Sequence, residues 1–133
     1  MMTNTFETGM KMRRKVLGDA HVDRSLDNAT EFTRPIQEAV TANVWGGIWS
    51  RPDLEPRVRS LINLGMLSAL NRGHELAVHV RGAVNNGCTE TEIQEVLLQV
   101  AGYCGAPAAL ESFRIAEQVL TEMGVIGVNA ARE

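Results

Sequence analysis

Apolar residues recur at helical spacing along almost the whole chain, and the strict alternation of a half-buried strand is nearly absent. The clearest stripe follows a T-x-x-E capping box, Thr89 and Glu92, which stands in front of Ile93, Val96, Leu97, Val100, Ala101 and Cys104. Gly105-Ala106-Pro107 breaks that helix. A last one from Pro107 to Met123 turns Ala109, Phe113, Ala116, Val119, Leu120 and Met123 inward. Val58 to Leu70 is apolar nearly all the way round, which predicts a helix buried on most sides. Pro56 suits its first turn, and Asn71-Arg72-Gly73 ends it. The next helix runs from His74 to Asn86 and closes on Gly87 as its C-cap.

The N-terminal part is less regular. Met10 to Leu17 predicts a short basic helix stopped by Gly18, and Asp19 to Asp23 reads as a polar turn whose aspartates accept backbone N–H bonds. A helix then runs from about Asn28 into the Trp45 region, with Pro35 admissible only near its start or as a kink, and Gly46-Gly47 breaks it. Trp49 to Pro56 predicts a loop, because Pro52 and Pro56 each bias the preceding residue away from helix. Residues 124–133 read as a loose tail. The expectation is one all-α domain of about six helices spanning residues 1–133, its core at about 10–123.

Composition narrows the function classes. A chain of 133 residues, 44% apolar and 22% charged, can bury roughly two-thirds of its unfolded surface without a disulfide or metal staple. Its 13 Lys and Arg against 16 Asp and Glu give a net charge of −3, which argues against phosphate-backbone contacts and hence against nucleic acid. The longest stretches without an acid, Lys or Arg, Ser60 to Asn71 and Val96 to Leu110, are shorter than the roughly 18 apolar residues of a membrane span. The start, MMTNTFETGMKMRRKV, has no apolar signal-peptide core, so the expected compartment is the cytoplasm. Cys88 and Cys104 stand too far apart for a CxxC pair and too few for structural zinc; they fit two reduced, partly buried thiols.

Two groups of residues carry candidate chemistry. In His74-Glu75-Leu76-Ala77-Val78-His79, Glu75 and His79 lie one turn apart on one face, whereas His74 and His79 diverge by about 140°. The H-E-x-x-H zinc pattern is therefore missed by one residue, and no metal site is expected. A carboxylate beside an imidazole suits a general acid or proton shuttle. The same spacing also fits an ordinary surface pair worth a few tenths of a kcal/mol. The second group is cationic: Arg51, Arg57 and Arg59 flank the loop that follows Trp45 and Trp49. Guanidinium groups beside aromatic faces make a receptor for a small dicarboxylate. Alternatively, Arg57 and Arg59 are solvated or pair with Glu55 or a neighbouring subunit. The tryptophans also fit core anchors, and Tyr103 also fits a buried phenol.

Taken in order, Gly18-Asp19-Ala20-His21-Val22-Asp23-Arg24, Trp45-Gly46, Trp49-Ser50-Arg51-Pro52, Arg59-Ser60-Leu61, Glu75-Leu76 with His79, Asn86-Gly87, Thr89 to Glu95 and Tyr103 to Ala108 resemble the 4-carboxymuconolactone decarboxylase family over roughly residues 10–123. The resemblance implies an alkylhydroperoxidase D-like helical fold and a ring-shaped homo-oligomer, a trimer or hexamer. It also implies cofactor-free decarboxylation of 4-carboxymuconolactone to the 3-oxoadipate enol-lactone in the protocatechuate branch (β-ketoadipate pathway) of aromatic catabolism. Carried onto this chain, it suggests His79 as proton donor, Glu75 as its orienting or relay partner and Arg51 as carboxylate anchor. Arg57, Arg59, Trp45, Trp49 and Tyr103 are then candidates for binding the substrate. The redox branch of the superfamily places cysteines seven and four residues before the shared histidine, where this chain has Arg72 and Glu75. That disfavours the alternative of a thiol-dependent peroxide or disulfide reductase. A non-catalytic helical assembly module is the other alternative.

Overall fold

In the computed structural model, which describes residues 2–127 and their side chains from residue 5 onward, the chain is all-helical, with no strand among the described residues. It contains α1 (Met2–Leu17), α2 (Asp19–Asp27), α3 (Arg34–Ala39), a π-helical segment (Val40–Trp49), α4 (Pro56–Ala69), α5 (Gly73–Asn85), α6 (Glu90–Cys104) and α7 (Ala106–Glu122). These elements form two compact units, one ending at Pro56 and one beginning at Arg57.

In the first unit the expected turn at Asp19 to Asp23 is instead the first part of α2. Gly18, at φ 88°, lets the chain turn after α1, and Asp19 then occupies the favourable acidic position in the first turn. Arg14, in the last turn of α1, bridges to both Asp19 (3.0 Å) and Asp23 (2.9 Å), while Val22 is fully buried. The two aspartates therefore serve a salt-bridged helix rather than a turn. This accounts for one helix more than expected. The helix expected from Asn28 begins only at Arg34, with Pro35 in its first turn where its missing N–H costs nothing.

The Gly46-Gly47 break is also absent: the π-helical segment runs through both glycines to Trp49. Gly46 serves packing. A Cβ on Gly46 would stand 2.1 Å from the Thr5 carbonyl oxygen, and one on Gly9 would stand 1.9 Å from the Thr41 carbonyl oxygen. Here α1 and the π-helical segment meet backbone to backbone, as only glycine allows. Arg13, buried at 6% exposure, reinforces the contact by donating to Thr41 Oγ1 (3.0 Å) and Gln37 Oε1 (2.8 Å). Burial, then the neighbouring charge of Arg14, lower its pKa. The loop before Pro56 is present as expected, beginning at Ser50, whose hydroxyl donates to the Trp45 carbonyl (2.8 Å).

The second unit follows the sequence closely. Thr89 and Glu92 form the reciprocal capping box that starts α6, Gly87 (φ 89°) follows α5, and Gly105 (φ 97°) separates α6 from α7. Leu64, Leu76, Val80, Ala83, Ile93, Leu97, Ala116, Val119 and Leu120 form the core. At roughly 1.5–3 kcal/mol for each large side chain withdrawn from water, this cluster dominates the unit's stability. The α6 stripe is shorter than expected: Ile93, Leu97 and Val100 are buried, Val96 is half-buried, and Ala101 and Cys104 are exposed.

Within the single chain α4 is buried on one side only, so the expected burial on most sides is not met there. Its buried positions are Ser60, Leu64 and Ser68, while Ile62, Met66 and Leu70 are 46%, 51% and 66% exposed. A helix packed against neighbours on one side leaves the other to solvent however apolar it is. After α7, Val125 N–H donates to the Leu120 carbonyl (2.9 Å) and Ile126 packs on the core, so the expected loose tail does not begin at residue 124. The rest of that tail, residues 128–133, lies outside the described residues.

Candidate functional site

The candidate residues fall in both units. Trp45, Trp49 and Arg51 belong to the first; Arg57, Arg59, Glu75, His79 and Tyr103 belong to the second. Trp45 and Trp49 are each 4% exposed and stack on one another, with ring centroids 4.8 Å apart and planes 22° apart. They are core anchors of the first unit, and the faces they give each other are not offered to a ligand. Arg51 follows in the exposed loop, its guanidinium 3.3 Å from Asp53 Oδ2.

In the second unit, α5 carries Glu75 exposed and His79 half-buried, one turn apart as the spacing requires. The contact on His79 Nδ1 comes from another helix: Asn63 Nδ2, on α4, lies 3.5 Å away. A second α4–α5 contact, Asn86 Nδ2 donating to Ser60 Oγ at 2.9 Å, ties the same helices together. Arg59 is half-buried and stands one turn before Asn63 on α4. Asn63 had a signal in the sequence, a lone amide inside the Val58–Leu70 apolar run, but periodicity cannot tell which residue it meets.

Arg57 pairs with Glu92, the acidic member of the capping box, 35 residues along the chain. Glu92 is held below its ordinary carboxylate range, first by the Thr89 backbone N–H and then by Arg57. Cys88 Sγ donates to the Arg57 carbonyl (3.4 Å), and burial, then the charge of Glu92, push its pKa up to about 11. At neutral pH this thiol is protonated and a poor nucleophile. Cys104 is exposed and free at the far end of α6. With the helix Glu90–Cys104 carrying the chain from one to the other at about 1.5 Å per residue, the two sulfurs lie some 20 Å apart and cannot form a disulfide. The expectation of two partly buried thiols holds for Cys88 alone.

Tyr103 is 84% exposed, which corrects the reading of it as a buried phenol. It borders a shallow apolar groove of about 340 Å³ with Gly65, Val96, Val100 and Cys104. A larger cleft, about 450 Å³, opens between the end of α4, the start of α5 and α7, lined by Ser68, Arg72, His74, Ala77, Arg114 and Ile115 among others. Ala77 and His79 diverge by about 160° around α5, so this cleft lies on the side of the helix away from the imidazole. Among the described residues, no three His, Cys, Asp or Glu side chains gather as metal ligands, and no helix is long and apolar enough to cross a membrane.

The second unit is thus all-helical, with a half-buried imidazole on α5 met by an amide from α4 and with Arg72 and Glu75 seven and four residues before it; it is of the class of small helical proteins. Within that class the chain belongs to the carboxymuconolactone decarboxylase family, whose pattern matches residues 34–118. It is 44% identical to nitrosuccinic acid decarboxylase of Metarhizium robertsii over 89% of this chain and 82% of that protein. It is 38% identical to 4-carboxymuconolactone decarboxylase of Acinetobacter baylyi over 90% of each chain.

Proposed function

We propose that the protein is a cofactor-free carboxy-lyase acting on a small dicarboxylate whose departing carboxylate sits beside a built-in electron sink. The observation that carries this reading is the similarity, over most of the chain, to two decarboxylases with different substrates. In 4-carboxymuconolactone the electrons left by CO2 flow through the ring alkene to the lactone carbonyl, giving an oxyfuran-like dienolate. In nitrosuccinate they flow onto the nitro group, giving a nitronate. Either anion then takes a proton on carbon, and either substrate keeps one carboxylate. Because the substrate supplies the sink, the protein's tasks are to hold the remaining carboxylate, stabilise the developing charge and deliver the proton.

His79 delivers the proton in this scheme, with Glu75 as its relay partner. Arg51 anchors the carboxylate that stays; Arg59 and Arg57 are further cations for the developing charge, the latter only when released from Glu92. Trp45 and Trp49, stacked and buried, act by bracing the segment that leads to Arg51, and the exposed Tyr103 is the aromatic that meets the substrate. The specific reading is decarboxylation of 4-carboxymuconolactone to the enol-lactone, in the cytoplasm, within protocatechuate catabolism. A second reading, nitrosuccinate as substrate, is favoured by the 44% identity to the fungal enzyme. The chain assembles as a homo-oligomer, trimer or hexamer, in which the exposed stripe of Ile62 and Met66 on α4, continued by Leu70 just after it, is a candidate for burial.

The deciding experiment supplies each compound separately and follows CO2 release and product formation. Turnover of 4-carboxymuconolactone supports the specific reading, and turnover of nitrosuccinate alone supports the second. Failure of both, with hydroperoxide-dependent thiol oxidation instead, overturns the proposal. Light scattering reads the assembly: a monodisperse monomer refutes the oligomer.

A further inference from the structure

Asn63 is half-buried on a helix whose neighbouring side chains, Leu61, Ile62 and Leu64, are apolar. An amide partly withdrawn from water is costly unless it is hydrogen-bonded. This one reaches across to α5 and meets the Nδ1 side of His79 at 3.5 Å. The Asn86–Ser60 hydrogen bond ties the residue that caps α5 to α4 one turn before Asn63.

A primary amide suits a ring that changes protonation state. Its NH2 can donate to Nδ1 when that nitrogen carries a lone pair. After a half-turn of the amide, Oδ1 accepts from Nδ1–H once the ring is an imidazolium. After the proton leaves Nε2, the ring remains as the Nδ1–H tautomer with the same acceptor in place. Leucine would serve neither state, and a carboxylate would serve only those with a proton on Nδ1.

We infer that Asn63 is a positioning residue: donating to Nδ1 of the resting neutral ring and accepting from it in the imidazolium, it holds the His79 imidazole by Nδ1 throughout, so that ring orientation is set and proton delivery falls to Nε2. The inference rests on the reading of His79 as proton donor. It does not depend on which of the two substrates is used.

The test compares wild type with Asn63→Leu and Asn63→Asp, using ring-nitrogen NMR shifts of His79, steady-state turnover of whichever dicarboxylate is accepted, and thermal melting. In wild type the spectrum is expected to show one dominant neutral tautomer. Asn63→Leu is expected to mix the tautomers and lower kcat roughly tenfold to hundredfold with KM little changed, as misorientation of a reacting group does. Asn63→Asp, which accepts from Nδ1–H, is expected to restore a single tautomer, now with the proton on Nδ1, and part of the rate. If Asn63→Leu does not fold, Asn63→Asp with its shifted tautomer signature carries the test.

Wild-type ring shifts and kcat in Asn63→Leu would overturn the inference. Near-normal turnover in His79→Gln would instead sink the proton-donor reading. The NMR comparison needs no substrate and separates the two failures.

Discussion

Replacing Gly46 with alanine adds one methyl group where two backbones touch. Its Cβ would lie 2.1 Å from the Thr5 carbonyl oxygen, whereas Cβ atoms essentially never approach closer than 3.0 Å, so α1 and the π-helical segment must part by about 0.9 Å. The obstacle is main chain, which cannot rotate away. Over-packing of this kind typically costs about 1–3 kcal/mol, occasionally more, while alanine's helix propensity returns about 1 kcal/mol at most. Parting the helices also loosens the packing of α1 on the segment that holds Trp45 and Trp49, which raises the steric cost. A net loss of about 2 kcal/mol is expected, a fall in Tm of roughly 6–8 °C for a chain of this size.

The neighbouring Gly47→Ala is the control. There the nearest atom to a Cβ is the Ala42 carbonyl oxygen at 3.8 Å, an ordinary contact, so only the propensity gain remains and Tm should hold or rise slightly. Thermal melts followed by far-UV circular dichroism, with urea titrations to compare midpoints, measure both variants. Equal stabilities for the two alanine variants would refute the backbone contact between α1 and the segment.

Thr89→Ala removes the N-cap acceptor of α6 and should cost about 0.5–2 kcal/mol, readable as a lower urea midpoint at an unchanged slope. Glu92 is held below its usual pKa, so its stabilising contribution is present above the ordinary value of 4.5 and is lost as pH falls through the lowered folded-state value. The stability gap between wild type and Glu92→Gln should therefore narrow in acid; a gap independent of pH between 7 and 3 would contradict the Thr89 and Arg57 contacts. A thiol reagent at neutral pH should modify Cys104 at once and Cys88 only after denaturation, and rapid reaction of both would show that Cys88 is not buried. His79→Gln should remain folded and lose on the order of a hundredfold in turnover, the usual worth of a positioned acid, measured on whichever dicarboxylate the wild type accepts.

Local signals were enough for much of this protein. The T-x-x-E box, the Gly87 and Gly105 stops and proline in the first turns of α4 and α7 are decided within a few residues, because caps and backbone restrictions act over one helical turn. The spacing that puts Glu75 and His79 on one face is likewise intrinsic to the chain, and so is the absence of cysteines at Arg72 and Glu75.

Wherever the outcome depended on a partner far along the chain, tertiary structure decided it. Asp19 and Asp23 became helical in company with Arg14, and Gly46 served a backbone approach to Thr5 that no local pattern announces. Arg57 was drawn to Glu92, and the amide of Asn63, one polar position in an apolar helix, was brought to the imidazole of His79. A sequence shows which face a side chain shares, since that follows from 3.6 residues per turn. Only packing shows what stands opposite that face, because it is set by how whole helices fit together.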